Sequence, residues 1–193
     1  MLAYTLSAKT VDIDLKLFKG TDWPKWNFEQ PYTVVSAVEN DHIQNIKVNI
    51  MLDDTDTKIT LNNFGKSIND TVIENNKIVR DQSIEIQKIW VNGVLLELLT
   101  LQDSFEFYPK YQQSDWAYAH EKGTHLPTCR NETKLHYNGS WHFEFEQPFF
   151  YWYNDQLMAG LSNSNHWVKQ SNLGMASESQ LQRLDNLLAQ LSK

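Results

Sequence analysis

The sequence predicts an all-β protein, an antiparallel β-sandwich with a short C-terminal α-helix. Three observations carry that expectation. Apolar and polar residues alternate over short runs, which is the period of a half-buried strand. Turn signals such as Asn92-Gly93 recur between those runs. A sustained stripe of leucines at helical spacing, residues 181–191, lies near the end of the chain. A jelly-roll-like arrangement of the two sheets is preferred.

The elements follow in order. Val11-Asp12-Ile13-Asp14-Leu15-Lys16-Leu17 puts an apolar residue at every odd position, and Gly20 with Trp23-Pro24 ends the run. Residues 32–38 form a second strand, rich in β-branched residues. Ile46-Lys47-Val48-Asn49-Ile50 and Ile59-Thr60-Leu61 alternate again, across the polar tip Asp53-Asp54-Thr55-Asp56. Residues 62–81, with Gly65 and the Asn75-Asn76 pair, read as mostly loop.

Ile84-Glu85-Ile86 and Ile89-Trp90-Val91 alternate with opposite parity, as a strand with one bulged residue would. Asn92-Gly93 then predicts a two-residue turn, because both positions tolerate φ > 0, with 94–98 as the returning strand. A second hairpin is expected at Asn138-Gly139, between Leu135-His136-Tyr137 and a strand that places Trp141, Phe143 and Phe145 on one face. Pro148 ends that strand or marks an edge.

Residues 1–159 are therefore the expected sandwich domain, and the Ser- and Asn-rich residues 160–174 a linker. Residues 175–193 follow as an amphipathic helix opened by the capping box Ser177-Glu178-Ser179-Gln180. Its stripe of Leu181, Leu184, Leu188 and Leu191 is heptad-like and suits oligomerisation, three subunits being one closed form.

Composition narrows the partners. With 24 acidic and 17 basic residues the formal charge is −7, which opposes binding to phosphate backbones, so no nucleic-acid partner is expected. No apolar run approaches the ~20 residues that span a bilayer, so no membrane partner is expected either. Met1-Leu2-Ala3-Tyr4-Thr5-Leu6 lacks the pattern of a signal peptide, which predicts synthesis in the cytoplasm and leaves the final location, a virion included, open. Cys129 is the single cysteine, so no internal disulfide forms, and an inert thiol is expected.

No set of residues reads as a complete active site. His136 and His142 would face each other across the second hairpin, but no third or fourth metal ligand is legible. The tip 53–56 offers calcium-type oxygen ligands without the glycine and terminal bidentate Glu of an EF-hand loop, so no cofactor is assigned. Glu144 and Glu146 lie about 7 Å apart on one strand face, at ~3.4 Å per residue, the separation of a glycosidase pair, but with nothing to raise a pKa. A phosphate-cradling glycine loop and a Gly-x-Ser-x-Gly elbow are both absent.

Aromatic residues at loops and strand ends are the surplus. Trp23 and Trp26, then Tyr111, Asp115, Trp116 and Tyr118, combine flat rings with polar neighbours, which suits the apolar faces and hydroxyls of sugars. Trp167 belongs to the same surplus. The competing explanation is that these rings pack under loops.

Asn69-Asp70-Thr71, residues 77–94 through Trp90-Val91-Asn92-Gly93-Val94, and Asn138-Gly139-Ser140-Trp141-His142-Phe143-Glu144-Phe145 with Pro148-Phe149-Phe150 carry a resemblance. They resemble small carbohydrate-binding-module-like β-sandwiches of bacterial glycan-processing and tailed-phage surface proteins. The resemblance covers a minority of the chain and rests on structural motifs. It implies the sandwich fold and leans towards glycan recognition. No ligand residue of that group carries over.

The expected function is a non-catalytic glycan-binding module that recognises a carbohydrate or cell-surface glycan, displayed on a phage particle or cell-surface assembly. The alternatives are a virion assembly protein (tail, fibre or head decoration) without a ligand, supported by the leucine stripe, and a carbohydrate-active enzyme.

Overall fold

The computed structural model describes residues 8–110 and 128–168. The chain divides into two compact units, Met1–Trp152 and Tyr153–Lys193.

Strand β1 (Thr10–Phe18) lies at the centre of the first sheet. Val11, Ile13, Leu15 and Leu17 are at most 1% exposed, whereas Asp12, Asp14 and Lys16 between them stay half-exposed. A slip of one residue would bury the charges, so the alternation fixes the register. β1 is flanked by β4 (Ile43–Met51) and β8 (Ser83–Val91), both antiparallel. Against β8 the register shifts so that Asp14 pairs with Lys88 and Leu15 with Ile86, leaving Gln87 as the bulged residue. The parity change in the sequence marks that bulge. It lets Ile84, Ile86, Ile89 and Val91 all face the core.

One edge of this sheet is β3 (Tyr32–Glu39), paired with β4. On the far side of β8 lie two short strands, β9 (Val94–Leu95) and β12 (Lys134–Leu135). Asn92 and Gly93 have φ of 49° and 81°, as the turn requires. The Asn92 side chain also accepts hydrogen bonds from the backbone N–H of Lys9 and Thr10, at 2.9 and 3.1 Å, and so anchors the start of β1.

The second sheet runs β11 (Cys129–Arg130), β10 (Phe105–Lys110), β13 (Asn138–Glu144), β5 (Lys58–Phe64) and β2 (Lys25–Phe28), all antiparallel. Its buried face is aromatic. Phe105 stacks on Trp141 at 5.5 Å and meets Phe143 at 5.3 Å, beside Ile59, Leu61 and Phe107. The buried Trp141 indole donates to the Glu132 carbonyl at 2.8 Å, satisfying its one polar atom. The apolar faces of the two sheets enclose the core of an antiparallel β-sandwich.

Four regions differ from the expectation. Residues 62–81 are not mostly loop. β5 continues to Phe64, a 3₁₀ turn η1 (Ile68–Asp70) follows, and β6 (Thr71–Glu74) pairs with β7 (Lys77–Asp81). Asn75 and Asn76 have φ of 51° and 60°, so two asparagines make the same kind of two-residue turn as an Asn-Gly pair. The strand expected over 94–98 pairs only at Val94 and Leu95. Leu96 then turns into the core, and the 3₁₀ segment η2 (Leu98–Ser104) leads to β10.

Asn138-Gly139 does not close a hairpin. β12 belongs to the first sheet and β13 to the second, so the chain crosses between sheets at His136 and Tyr137. Glycine is required at 139 by close approach: a Cβ there would lie 2.3 Å from the Tyr108 carbonyl oxygen. The Asn138 side chain meanwhile bonds both the N–H and the carbonyl of Lys66, at 2.8 and 2.9 Å.

Finally, α1 (Phe149–Val168) begins at the aromatic cluster and extends into the segment expected as a linker. Pro148 lies directly before it, where its missing N–H costs nothing, and its carbonyl accepts the N–H of Tyr151 and Trp152. Phe149 packs against Phe143 and Phe145. The leucine stripe 181–191 lies outside the described residues. Among the described residues no helix is long and apolar enough to cross a membrane.

Two glycines separate torsional from steric cost. Nothing lies within 4 Å of a Cβ at Gly93, so Gly93→Val should lower stability by about 1–2 kcal/mol through backbone strain alone. Gly139→Ala should cost more, because Tyr108 or β13 must move. Urea midpoints of both variants check that ranking.

Candidate functional site

The outer face of the second sheet carries the most organised set of polar side chains. Because Trp141 and Phe143 point into the core, Ser140, His142 and Glu144 point out. Register places Ser140 between Tyr108 of β10 and Asn62 of β5, with Asn27 of β2 beyond Asn62. One step along, His142 lies between Glu106 and Thr60.

Hydrogen bonds join the first row. The Ser140 hydroxyl donates to Asn62 Oδ1 at 2.7 Å, and Asn62 Nδ2 donates to Asn27 Oδ1 at 3.1 Å. The Tyr108 ring leans on the His142 ring at 4.8 Å between centroids, and its hydroxyl donates to the Glu106 carboxylate. That bond raises the phenol pKa above its ordinary 10.0. Glu106 also meets Arg130, and Glu144 meets Lys58, each at 3.6 Å, so both carboxylates have cationic neighbours.

Thr60 is 2% exposed although it belongs to this outer face. Gln30 clamps the strand there: its Nε2 donates to the Lys58 carbonyl at 2.9 Å and its Oε1 accepts the Thr60 N–H at 3.1 Å. Burial, and then Lys58, push His142 below the ordinary 6.5, against Glu144, Glu29 and Glu106. His142 is therefore neutral at pH 7. Its Nδ1 is buried and makes no hydrogen bond among the described residues. The face offers amides, hydroxyls and an aromatic ring. It shows no nucleophile held by a base, and Glu144 is exposed and ion-paired rather than buried as a general acid needs.

A second cluster braces the sheet crossing. Lys66 Nζ donates to Asp81 Oδ1 at 2.6 Å and to the carbonyls of Gln82 and His136 at 2.9 and 2.5 Å. Asp81 also accepts from the Thr71 hydroxyl at 2.6 Å and lies 3.1 Å from His136 Nδ1. Burial acts to raise the Asp81 pKa, but His136, Lys66 and Thr71 outweigh it and hold the carboxyl below 3.8. Next to it, Asp70 accepts from Ser67 N–H and Oγ, both at 2.9 Å, and from Asp22 N–H at 3.2 Å. Each charged group is hydrogen-bonded, which is the arrangement of a structural brace.

Trp26 packs against Phe28 and Tyr32, at 6.0 and 5.8 Å between centroids, and Trp23 lies under the Lys19 ammonium. Both are half-buried. Tyr111, Asp115, Trp116 and Tyr118 lie outside the described residues. His136 and His142 do not face each other, since one sits in the crossing and the other on the outer face. No group of three His, Cys, Asp or Glu side chains gathers as a metal site among the described residues. The acidic tip is a turn closed by Asp53 N–H donating to Asp56 Oδ2 at 2.7 Å, with Asp54 paired to Lys9. Asn27, Asn62, Tyr108 and Ser140 are not among the ligand residues expected from the sequence. Alternation marks Ser140 and Asn62 as outward-facing, but only strand order brings the four together.

Asp81 and His142 give stability opposite molecular origins but the same pH direction. The folded pKa of Asp81 is depressed, so its contribution is present above the unfolded value and lost as pH falls through the folded one. Asp81→Asn should cost about 1.5–3 kcal/mol at pH 7, as for a hydrogen bond to a charged group. As pH falls below 6.5, the unfolded chain takes a proton that folded His142 resists, and stability drops. His142→Gln should flatten the melting temperature between pH 6.5 and about 5, where neutral His titrates. Melting curves across that range check His142→Gln, and urea midpoints at pH 7 check Asp81→Asn. Comparisons of the chain with protein-family models, with curated proteins and with solved structures return no match.

Proposed function

We propose that this chain is a non-catalytic glycan-binding β-sandwich module. The observation that carries the reading is the row Asn27, Asn62, Ser140 and Tyr108 across four strands of the second sheet. At ~4.8 Å between strands the row spans about 14 Å. It presents amide and hydroxyl groups already oriented by one another, with the exposed Tyr108 ring at one end. Groups held in place before binding lose less entropy on binding. Hydroxyl-rich ligands need such alternating donors and acceptors, and an aromatic ring can cover an apolar sugar face.

The charge on this face selects among glycans. Arg130 and Lys58 are engaged by Glu106 and Glu144, which disfavours sulfated or carboxylated sugars. Neutral oligosaccharides are the preferred class. Display on a phage particle or cell-surface assembly would be the setting for recognition without catalysis.

A glycan array with the purified chain, followed by calorimetric titration of the best hit, tests the reading. Tyr108→Ala and Asn62→Ala should each weaken binding about tenfold or more, equivalent to the ~1.4 kcal/mol expected of one lost hydrogen bond or ring contact. Absence of any array signal, or a hit indifferent to both substitutions, refutes it.

A further inference from the structure

His142 combines two properties on the outer face of the second sheet. Its ring packs against Tyr108, the aromatic end of the row described above, at 4.8 Å between centroids. Its Nδ1 is buried and makes no hydrogen bond among the described residues. A buried N–H without an acceptor is rarer in folded proteins than a buried lone pair without a donor. The neutral ring therefore carries its proton on Nε2 and keeps Nδ1 bare.

We propose that protonation of His142 breaks its packing against Tyr108, so that the outer face is ordered for binding only while the ring is neutral. The added proton goes to Nδ1, where the packed ring offers it neither water nor an acceptor. Rotation of the ring brings that proton to solvent and gives up the contact with Tyr108. The groups around the ring do not remove this conflict. On the β10 side, Glu106 already accepts the Tyr108 hydroxyl and meets Arg130 of β11. On the β5 side, Thr60 is buried directly across from His142, and Lys58 opposes a positive ring. Glu144, on β13 itself, is paired with that same lysine. Glu29, which follows β2, favours the charged ring, as do Glu106 and Glu144, but burial and Lys58 outweigh all three.

The consequence for ligands rests on the glycan reading above. A sugar that lies on the Tyr108 ring needs that ring where His142 holds it, so it binds the neutral form and opposes protonation. His142 acts here as a positioning residue, through Tyr108. Its folded pKa lies below 6.5, so binding is complete at pH 7 and is lost as pH falls through the folded value. With one proton linked to one ligand, the loss is at most about tenfold per pH unit. The module then holds its glycan at neutral pH and releases it in acid.

The test is NMR of the full chain without ligand, from about pH 7.5 to about pH 5, where histidine titrates. It follows the His142 ring nitrogens, the Tyr108 ring signals and the proton–proton contact between the two rings. The expected result is a proton on Nε2 alone at the upper pH, and loss of the ring contact with the same midpoint as His142. In His142→Gln the Tyr108 titration should vanish. A proton on Nδ1 at the upper pH overturns the proposal, as does a ring contact that persists after His142 is charged. So does a Tyr108 titration that survives in His142→Gln, which would assign it to the Glu106 carboxylate. A glycan array read at both ends of the pH range tests the consequence: signals should fall in acid, and signals indifferent to pH refute it. A blank array at both ends removes the glycan reading alone, because the switch is decided on the free chain.

Discussion

Val11, Ile13, Leu15 and Leu17 leave the solvent together, and the charged residues between them keep their water only while β1 holds one register. Each of these side chains stabilises the fold by roughly 1.5–3 kcal/mol when fully buried. β1 has a long partner on each side: β4 runs along all of it, and β8 follows it on the other side. The Gln87 bulge follows from this constraint. Without it, one half of β8 would present Glu85 or Lys88 to the core where isoleucines are needed.

A sheet with one apolar face must be covered, and β13 supplies the cover. Trp141 and Phe143 reach the core only because β13 joins the second sheet, which requires the chain to cross over immediately after β12. The crossing carries backbone groups that no ladder serves, and the Lys66 cluster serves them. Lys66 takes the carbonyls of His136 and Gln82, and Asn138 takes the backbone of Lys66. The same inward placement of Trp141 and Phe143 forces Ser140 and His142 outward. Core packing and the candidate binding face are thus two consequences of one alternation.

Alternation made most of the sandwich legible. β1, β4, β8 and the inward face of β13 could be read because their buried sets follow a period of two with few exceptions. Asn138-Gly139 misled for a physical reason. The pair is favoured in tight turns through its freedom at positive φ, but here glycine answers the nearness of Tyr108, and asparagine answers the backbone of Lys66. Those demands are tertiary and leave no local mark. The hairpin at Asn75-Asn76 was hidden because asparagine is also a loop residue. The start of α1 was hidden because its first turn, Phe149-Phe150-Tyr151-Trp152, has the composition of a strand. Asn27 and Tyr108 belong to one row only once β2, β5, β13 and β10 are known to be neighbours.

Tyr32 shows why β3 is exposed. Its ring meets Trp26 and Phe28, so the second sheet reaches the first sheet at that end. β2, the second sheet's edge strand on that side, is only four residues long, however, and the rest of β3 runs on beyond its cover. The valines at 34, 35 and 38 therefore add almost nothing to the core of one molecule. On a solvated strand they carry the hazard of unplanned pairing, a hazard that the bulge at Val35 limits. Among the described residues, cover by the second sheet ends near Tyr32, so core packing does not account for the apolar character of the rest of β3.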